Sequence, residues 1–384
     1  MARDDGHAKR VIVKIGSAVL APDGRLEPKI VAQLARDVCG VLDLGRARVV
    51  IVSSGAVASG FRALGLSKPP KEIVGKQAAA AIGQPRLMSA WSDALEAAGG
   101  RAAAQVLLTA EDIDHRVRFL NARRTLEALL DAGVVPIVNE NDSVSFEEIR
   151  LGDNDHLSSL VATLVSADLL VILSGVAGVW DAGRSRKGTP VIVPEIRSLA
   201  EGLAHVRDGT SGVGTGGMAT KIRAACAAAG LGVHVVIADG TLEGVIGRAV
   251  AGEAVGTRFP ARSHGGADAG GRATASRKRW IGFSARPRGT LVVDAGAQKA
   301  MTARGASLLP GGLVEVVGKF ERGALVEIAG PERVVFARGL AGYSDAELRA
   351  ISGKKTAQIA AALGYHYADE AVHRDDLAII EGRV

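Results

Sequence analysis

The sequence predicts an α/β protein in which a mainly parallel sheet is sandwiched between helices and a small β-rich domain follows. Over the first two-thirds of the chain, short runs of β-branched residues alternate with longer stretches rich in Ala and Leu. The strand candidates are mainly apolar, which is typical of a parallel sheet covered on both faces. After a Gly-rich segment the pattern changes to short strands and Gly turns.

Six apolar runs predict the strands of the sheet: Arg10–Ile15, Arg48–Val52, Ala103–Leu108, Val134–Val138, Asp168–Leu173 and Gly232–Ala238. Five longer stretches between them predict helices: Pro28–Leu44, Glu72–Ala98, Phe119–Asp131, His156–Ser166 and Met218–Ala229. In sheets of this kind, ligands bind beyond the carboxyl ends of the strands. Candidate functional residues are therefore sought at those ends.

The chain has 384 residues, which predicts two domains. Residues 257–275 (TRFPARSHGGADAGGRATA) are small and polar without periodicity, so we interpret them as a linker. The predicted bounds are 1–256 for the first domain and 276–384 for the second, which contains one helix near Ser344–Ile351.

The composition excludes several classes of protein. With 47% hydrophobic and 23% charged residues, the chain is globular and not disordered. The N-terminus has no pattern of a signal peptide, and no apolar run approaches the ~20 residues that span a bilayer. Cys39 and Cys226 are expected to be free, buried thiols, which favours a cytoplasmic location. The net charge of +6 is not concentrated in a basic block.

Two strand ends have residues suited to anions. Lys14 is followed by Gly16 and Ser17 in VIVKIGSAVL, and Ser54 precedes Gly55 in VSSGAVASG. An ammonium group and the backbone amides of a helix N-terminus both favour a negative ligand. A solvent-exposed lysine and a simple N-cap serine are the alternatives.

A dense polar cluster follows the fourth strand and precedes the next helix. Its members are Asn139, Glu140, Asn141, Asp142, Asp153, Asn154 and Asp155. Carboxylates in such a cluster could hold the α-ammonium of an amino acid while amides hold its α-carboxylate. One of the acids could instead orient lysines or a metal ion, and a solvated acidic loop is the remaining alternative.

The segment SGVGTGGMATK spans Ser211–Lys221. Its glycines leave backbone amides open to a phosphate, and Lys221 adds a positive charge one helical turn later. The segment is not a Walker A motif, because the GxxxxGK[ST] pattern is absent.

Together these motifs, with FLNARRTLEALL before the fourth strand, resemble the amino-acid kinase family and, within it, the glutamate 5-kinases. The segments SRKRWIGF, SLLPGGLVEVVGKFERGALVEI and AVHRDDL resemble the PUA domain that ends many bacterial members. The resemblance extends from Val11 to Leu377. It implies an amino-acid-kinase-like fold followed by a PUA-like domain.

The resemblance also implies roles for individual residues. It implies catalytic roles for Lys14, Lys221 and Asp155, and substrate-binding roles for Ser54, Asp142, Asp153 and Asn154. It implies nucleotide contacts for Lys14, Ser174, Gly175, Ser211, Gly212, Val213, Gly214, Thr215, Gly216, Gly217 and Lys221. The implied reaction is the transfer of phosphate from ATP, with Mg²⁺, to the γ-carboxylate of L-glutamate. That reaction forms γ-glutamyl phosphate, the first intermediate of proline biosynthesis, and no metal site of the protein's own is expected.

One segment departs from the family pattern. After the fifth strand the family usually has Thr or Ser followed by Asp and a GLYT-like turn, whereas this chain has LSGVAGVWDAG. Gly175 stands in place of the Asp and Trp180 in place of the Tyr. Because this segment contacts the nucleotide in the family, we expect weaker or altered use of ATP.

Two other functions stay open at this point. A kinase of the same fold could act on N-acetylglutamate or aspartate, although the NEND and GDND motifs favour free glutamate. An RNA-binding protein is a second alternative, because PUA domains often bind RNA, but interleaved basic and aromatic residues are missing. The resemblance further implies a homo-oligomer (dimer or tetramer), feedback inhibition by proline and hand-over of product to γ-glutamyl phosphate reductase, with no membrane partner.

Overall fold

The computed structural model describes residues 8–45, 47–114, 116–144, 154–185, 190–206, 217–262, 281 and 287–380. The chain divides into two compact units, residues 1–262 and 263–384. Among the described residues no helix is long and apolar enough to cross a membrane.

The first unit is built on a seven-stranded sheet with the order β3-β4-β2-β1-β5-β6-β7. The strands are β1 (Lys9–Ile15), β2 (Ala47–Ser53), β3 (Ala103–Leu108), β4 (Val135–Glu140), β5 (Leu169–Ser174), β6 (His234–Asp239) and β7 (Thr257–Phe259). All neighbouring pairs are parallel except β6 and β7. β1 is central, so the side chains at its carboxyl end are surrounded by strands on both sides.

Ten α-helices connect these strands in the described part of the first unit. They are α1 (Ser17–Leu20), α2 (Pro28–Asp43), α3 (Ala56–Gly60), α4 (Ile73–Gly99), α5 (Ala110–Asp114), α6 (Arg116–Asp131), α7 (Asn154–Leu164), α8 (Leu199–Ala204), α9 (Met218–Gly230) and α10 (Val245–Ala251). α2 shows why they form: Pro28 occupies its first position, where the missing N–H costs nothing, and Glu27 caps it. Val31, Leu34 and Val38 then form a buried stripe against the sheet.

The six predicted strands and five predicted helices are all present, with ends that differ by at most three residues. The antiparallel strand β7 was not predicted, because it is only three residues long and begins at Thr257, the first residue of the predicted linker. The Thr257 side chain is fully buried and its hydroxyl accepts a hydrogen bond of 2.8 Å from the Val179 N–H. Residues 263–280 lie outside the described ranges, so the predicted domain bounds stay predictions.

Helices α3 and α4 cross at very short distance through two glycines. A Cβ atom on Gly60 would lie 1.9 Å from the carbonyl oxygen of Ala79, and one on Gly83 would lie 1.8 Å from that of Ala56. Only glycine permits this approach, since any side chain would overlap with the facing backbone. The crossing fixes α4 against the short helix that follows β2.

The second unit contains a five-stranded sheet with the order β12-β11-β10-β8-β9. Its strands are β8 (Gly289–Val293), β9 (Leu313–Gly318), β10 (Leu325–Ala329), β11 (Val335–Leu340) and β12 (Leu377–Ile379). Its α-helices among the described residues are α11 (Ala295–Arg304), α12 (Asp345–Ile351) and α13 (Ile359–Leu363). α12 is the helix predicted near Ser344–Ile351, and Ser344 and Glu347 form a capping box at its start.

Candidate active site

The candidate site lies at the carboxyl ends of β1, β2, β4 and β5, where the parallel strands end at the same edge of the sheet. β1 contributes Lys14, and the turn after β2 contributes Ser54. α7 begins with Asn154 and Asp155, and the first turn of α9 contributes Lys221. The topology therefore brings together residues that are up to 207 positions apart in the sequence (221 − 14).

Asp155 binds two lysines, one with each of its carboxylate oxygens. Its Oδ1 forms an ion pair with the ammonium of Lys14, and its Oδ2 lies 2.9 Å from the Nζ of Lys221. The Asp155 side chain is fully buried, and those of Lys14 and Lys221 are 3% and 11% exposed. Two positive charges on one carboxylate leave a net charge of +1 on this group of three residues, which favours an anionic ligand beside the lysines.

The protonation state of Asp155 follows from this arrangement. Burial alone would raise the pKa of the carboxyl group, because it penalises the charged form. The attraction of Lys14 and Lys221 and their hydrogen bonds outweigh burial, so the pKa of Asp155 is lowered. The carboxylate is ionised at neutral pH and forms ion pairs with both lysines. The hydroxyl of Thr220 donates a further hydrogen bond of 3.3 Å to the Oδ2 of Asp155.

A row of amide side chains lies beside the lysines. The Nδ2 of Asn154 donates to the Oγ of Ser54 at 2.8 Å and to the Oδ1 of Asn139 at 3.0 Å. The Nδ2 of Asn139 in turn donates to the Oε1 of Gln84, on α4, at 2.8 Å. We call Gln84, Asn139, Asn154 and Ser54 the amide relay. Asn139 and Gln84 are 3% and 8% exposed, so water cannot readily replace these bonds.

The turn after β2 is held by a second contact with α4. The indole N–H of the fully buried Trp91 donates to the Oγ of Ser53 at 2.9 Å. Ser53 donates to the carbonyl of Ser54, and Gly55 takes a left-handed conformation with φ of 111°. The conformation needs glycine and directs the chain from the strand into α3.

Asp142, which follows β4, has an unusual carboxyl group. Burial raises the pKa of Asp142 to about 6, and the negative charge of Glu140 adds to the effect. A cationic group that binds next to this carboxyl group stabilises its ionised form. Its position at the end of β4 fits the predicted role in binding an amino acid.

The residues predicted to contact a nucleotide are described only in part. Ser174 is buried at the end of β5, and its carbonyl accepts a hydrogen bond of 2.9 Å from the Gly240 N–H. Gly175 is exposed, and a Cβ atom there would meet nothing within 4 Å. Gly217 is the N-cap of α9. The other predicted nucleotide contacts lie outside the described residues: Ser211, Gly212, Val213, Gly214, Thr215 and Gly216. Asp153, a predicted substrate contact, also lies outside them.

Comparison with known proteins decides the family. The profile of the amino acid kinase family matches residues 9–239, and that of the PUA domain matches residues 289–363. The chain is 48% identical over 381 residues to "Glutamate 5-kinase" of Myxococcus xanthus, covering 97% of each chain. It is 46% identical over 374 residues to the proteins of that name from Trichlorobacter lovleyi and Thermus thermophilus, covering 97% of this chain and 97% and 98% of theirs.

The chain belongs to the glutamate 5-kinase family. The predicted membership, the amino-acid kinase fold and the β-rich PUA domain are thereby confirmed. As a member of this family the chain is a kinase and uses ATP.

The sequence predicted roles for lysines and acids of this glutamate 5-kinase family member but gave no sign of the residues that hold them in place. Lys14, Asp155 and Lys221 are in contact, and Ser54 and Asn154 are hydrogen-bonded. Gln84, Trp91 and Thr220 were not predicted, because a lone polar or aromatic residue in a helical pattern gives no functional signal. Among the described residues, no group of three or more His, Cys, Asp or Glu side chains could hold a metal ion.

Proposed function

We propose that this chain transfers the γ-phosphoryl group of ATP to the γ-carboxylate of L-glutamate and so forms γ-glutamyl phosphate, opening proline biosynthesis. One observation supports the proposal above all others: two buried ammonium groups, fixed by one carboxylate, lie at the sheet edge beside a row of amides. Such a site combines a place for transferring phosphate with a place for an amino acid. Membership of the glutamate 5-kinase family supports the same reaction.

The chemistry of this transfer requires charge cancellation more than proton removal. The γ-carboxylate of glutamate has a reference pKa of about 4.3, so it is ionised at neutral pH and needs no general base. Two anions must approach each other in line, and the negative charge that accumulates must be neutralised. Lys14 and Lys221 supply that neutralisation, and Asp155 holds them in place without becoming a base itself.

The nucleotide is assigned to the side of the site formed by β5 and the start of α9. Lys14, Lys221, Ser174, Gly175 and the amides of 211–217 would hold its phosphates. Mg²⁺ would arrive bound to ATP and would neutralise phosphate charge, since Asp155 is already engaged with two lysines. Ser54, Asp142, Asp153 and Asn154 are proposed to bind glutamate.

Three properties of the proposal rest on the family resemblance alone. They are assembly into a dimer or tetramer, inhibition by proline and transfer of the labile product to a reductase. A cytoplasmic location rests instead on the two free thiols, of which Cys39 is buried and Cys226 is partly buried. An acyl phosphate hydrolyses readily in water, which is a chemical reason for such a transfer.

The test is an assay of acyl phosphate formation. Purified protein is incubated with ATP, Mg²⁺, hydroxylamine and one of three acceptors: L-glutamate, L-aspartate or N-acetyl-L-glutamate. We expect γ-glutamyl hydroxamate from L-glutamate and a background signal from the other two acceptors. Hydroxamate formation from N-acetyl-L-glutamate or aspartate, and not from glutamate, would replace the proposed acceptor with another of the same fold. The absence of any hydroxamate would contradict kinase activity on a carboxylate.

A further inference from the structure

The hydrogen bonds of the amide relay have only one possible direction, and a backbone group determines it. The N–H of Glu140 donates to the side chain of Asn139 at 2.9 Å. A backbone N–H can only donate, so the Asn139 atom that receives this bond must be its oxygen. The nitrogen of Asn139 therefore faces Gln84 and donates to the Oε1 of Gln84 at 2.8 Å.

The orientation of the Asn139 amide in turn determines that of the Asn154 amide. The oxygen of Asn139 also accepts from the Nδ2 of Asn154, and the second hydrogen of that Nδ2 goes to the Oγ of Ser54. Both donors of Asn154 are thus used inside the protein. Its Oδ1 is buried and has no hydrogen-bond partner within the part of the chain that the structure describes. A buried acceptor in this state costs free energy until a donor binds to it.

The chemistry of the open atom indicates which group of the substrate it binds. An ammonium group offers three donors and no acceptor, whereas a carboxylate offers only acceptors. The Oδ1 of Asn154 is therefore suited to the α-ammonium of an amino acid. Ser54 complements it, because its Oγ accepts from Asn154 and its own proton can be donated to a carboxylate. This assignment differs from the sequence expectation that amides hold the α-carboxylate.

We propose that Gln84 is a positioning residue for substrate recognition: through Asn139 it holds Asn154 with its oxygen toward the α-ammonium of the acceptor. The inference rests on the proposed function. Gln84 touches no substrate in this account and acts only through its carbonyl oxygen. Its place is well fixed, because the neighbouring Gly83 lies at the closest point of the crossing between α3 and α4.

Removing the acceptor oxygen of Gln84 would free the side chain of Asn139 and, through it, that of Asn154. The Nδ2 of Asn139 would lose its partner in a site that is 3% exposed, where no bulk water compensates. Asn139 could then rotate, and Asn154 would no longer be held with one side-chain orientation. The loss should weaken recognition of the α-ammonium and leave phosphate transfer itself intact.

The experiment compares two acceptors that differ only in the α-amino group, L-glutamate and glutarate. In Gln84→Met, an apolar side chain of similar length, kcat/KM for L-glutamate should fall about 10- to 100-fold through KM, the range expected for one unpaired buried group. The kcat/KM for glutarate and the KM for ATP should stay within about twofold. Gln84→Glu retains an accepting oxygen and should keep the KM for L-glutamate within about threefold of the wild type.

The control is Gln105→Met, the same substitution at an exposed position of β3, which should leave all parameters unchanged. Thermal unfolding is recorded for every variant. If Gln84→Met does not fold, Gln84→Asn replaces it, since the shorter side chain withdraws the same oxygen. An equal loss with L-glutamate and glutarate, or an unchanged KM for L-glutamate, would overturn the inference. A wild type that forms no hydroxamate from L-glutamate would instead contradict the proposed function.

Discussion

The Nζ of Lys221 lies 2.9 Å from the Oδ2 of Asp155, while the other oxygen of the same carboxylate binds Lys14. This relationship makes one acid responsible for the position of two cations that come from opposite ends of the domain. Its removal should therefore affect both lysines at once, which is more than the loss of a single ion pair.

Asp155→Asn should lower kcat by about 100- to 1,000-fold, because the two lysines lose their fixed positions near the transferring phosphate. It should also lower the free energy of unfolding by about 3–5 kcal/mol, since two buried ammonium groups lose their counter-charge. Hydroxamate formation and urea unfolding measure the two effects. Asp131→Asn is the control, because the Asp131 side chain is 66% exposed in its pair with Arg48. Retention of wild-type kcat in Asp155→Asn would contradict the proposed role.

Lys14→Met should reduce kcat by about 100- to 1,000-fold and change the KM for L-glutamate little, since the ammonium acts on charge that develops during transfer. Lys9→Met is matched to it, because Lys9 lies on the same strand at the opposite end and binds only the carbonyl of Val250, at 3.3 Å, in the described structure. We expect near wild-type kcat for the control. Equal losses in the two variants would indicate damage to β1 and not to the site.

The raised pKa of Asp142 predicts that glutamate binding depends on pH. Because the pKa of Asp142 is raised to about 6, the group loses its charge as the pH falls through that value. The KM for L-glutamate should rise from pH 8 to pH 5.5, and Asp142→Asn should abolish this part of the profile. A pH profile of the variant that still follows the wild type would rule out Asp142 as the group responsible.

The same shift predicts an effect of Asp142 on stability with a definite sign. A folded-state pKa above the unfolded value of 3.8 means that the folded protein binds the proton more tightly. The ionised group therefore destabilises the fold above pH 6, and stability is gained as the pH falls from about 6 toward 3.8. Asp142→Asn should raise the unfolding temperature at pH 8 and raise it less at pH 5, which calorimetry at the two pH values would test.

Gly175→Asp restores the residue that the family pattern has at the end of β5. A Cβ atom at this position meets nothing within 4 Å, so the substitution should not disturb the fold. The KM for ATP should fall about 2- to 10-fold, as expected for one added hydrogen bond, while the KM for L-glutamate stays constant. An unchanged KM for ATP would show that position 175 makes no contact with the nucleotide.

The crossing of α3 and α4 predicts opposite effects for two Gly-to-Ala substitutions. Gly83→Ala would place a Cβ atom 1.8 Å from the carbonyl oxygen of Ala56 and should destabilise the protein by about 1–3 kcal/mol. Gly40→Ala, within α2, meets nothing within 4 Å and should stabilise it by roughly 0.5–1 kcal/mol through helix propensity. Chemical unfolding distinguishes the two signs, and a neutral Gly83→Ala would disprove the close crossing.

Much of the fold could be predicted because its signals are local. Each strand of the first unit except β7 is a mainly apolar run, and each long helix has an amphipathic or Ala-rich pattern that neighbouring residues determine. β7 was missed because three residues provide no period. The helix Ala295–Arg304 was missed because it has no clear apolar stripe, and only Met301 is fully buried in it.

The sequence by itself determined which chemical groups stand at the ends of the parallel strands, and its motifs identified the family. Lys14 could be named because it lies at the end of a strand, and Ser54, Asp142, Asn154 and Asp155 because they follow strands or begin a helix. Position along the chain is enough for that. Only the tertiary structure decided how those groups are connected. Asp155 divides its two oxygens between two lysines, and Gln84, 55 residues from Asn139, determines what the relay can accept. Hydrogen-bond direction and a raised pKa depend on neighbours in space, and the sequence alone does not encode those distances in any local pattern.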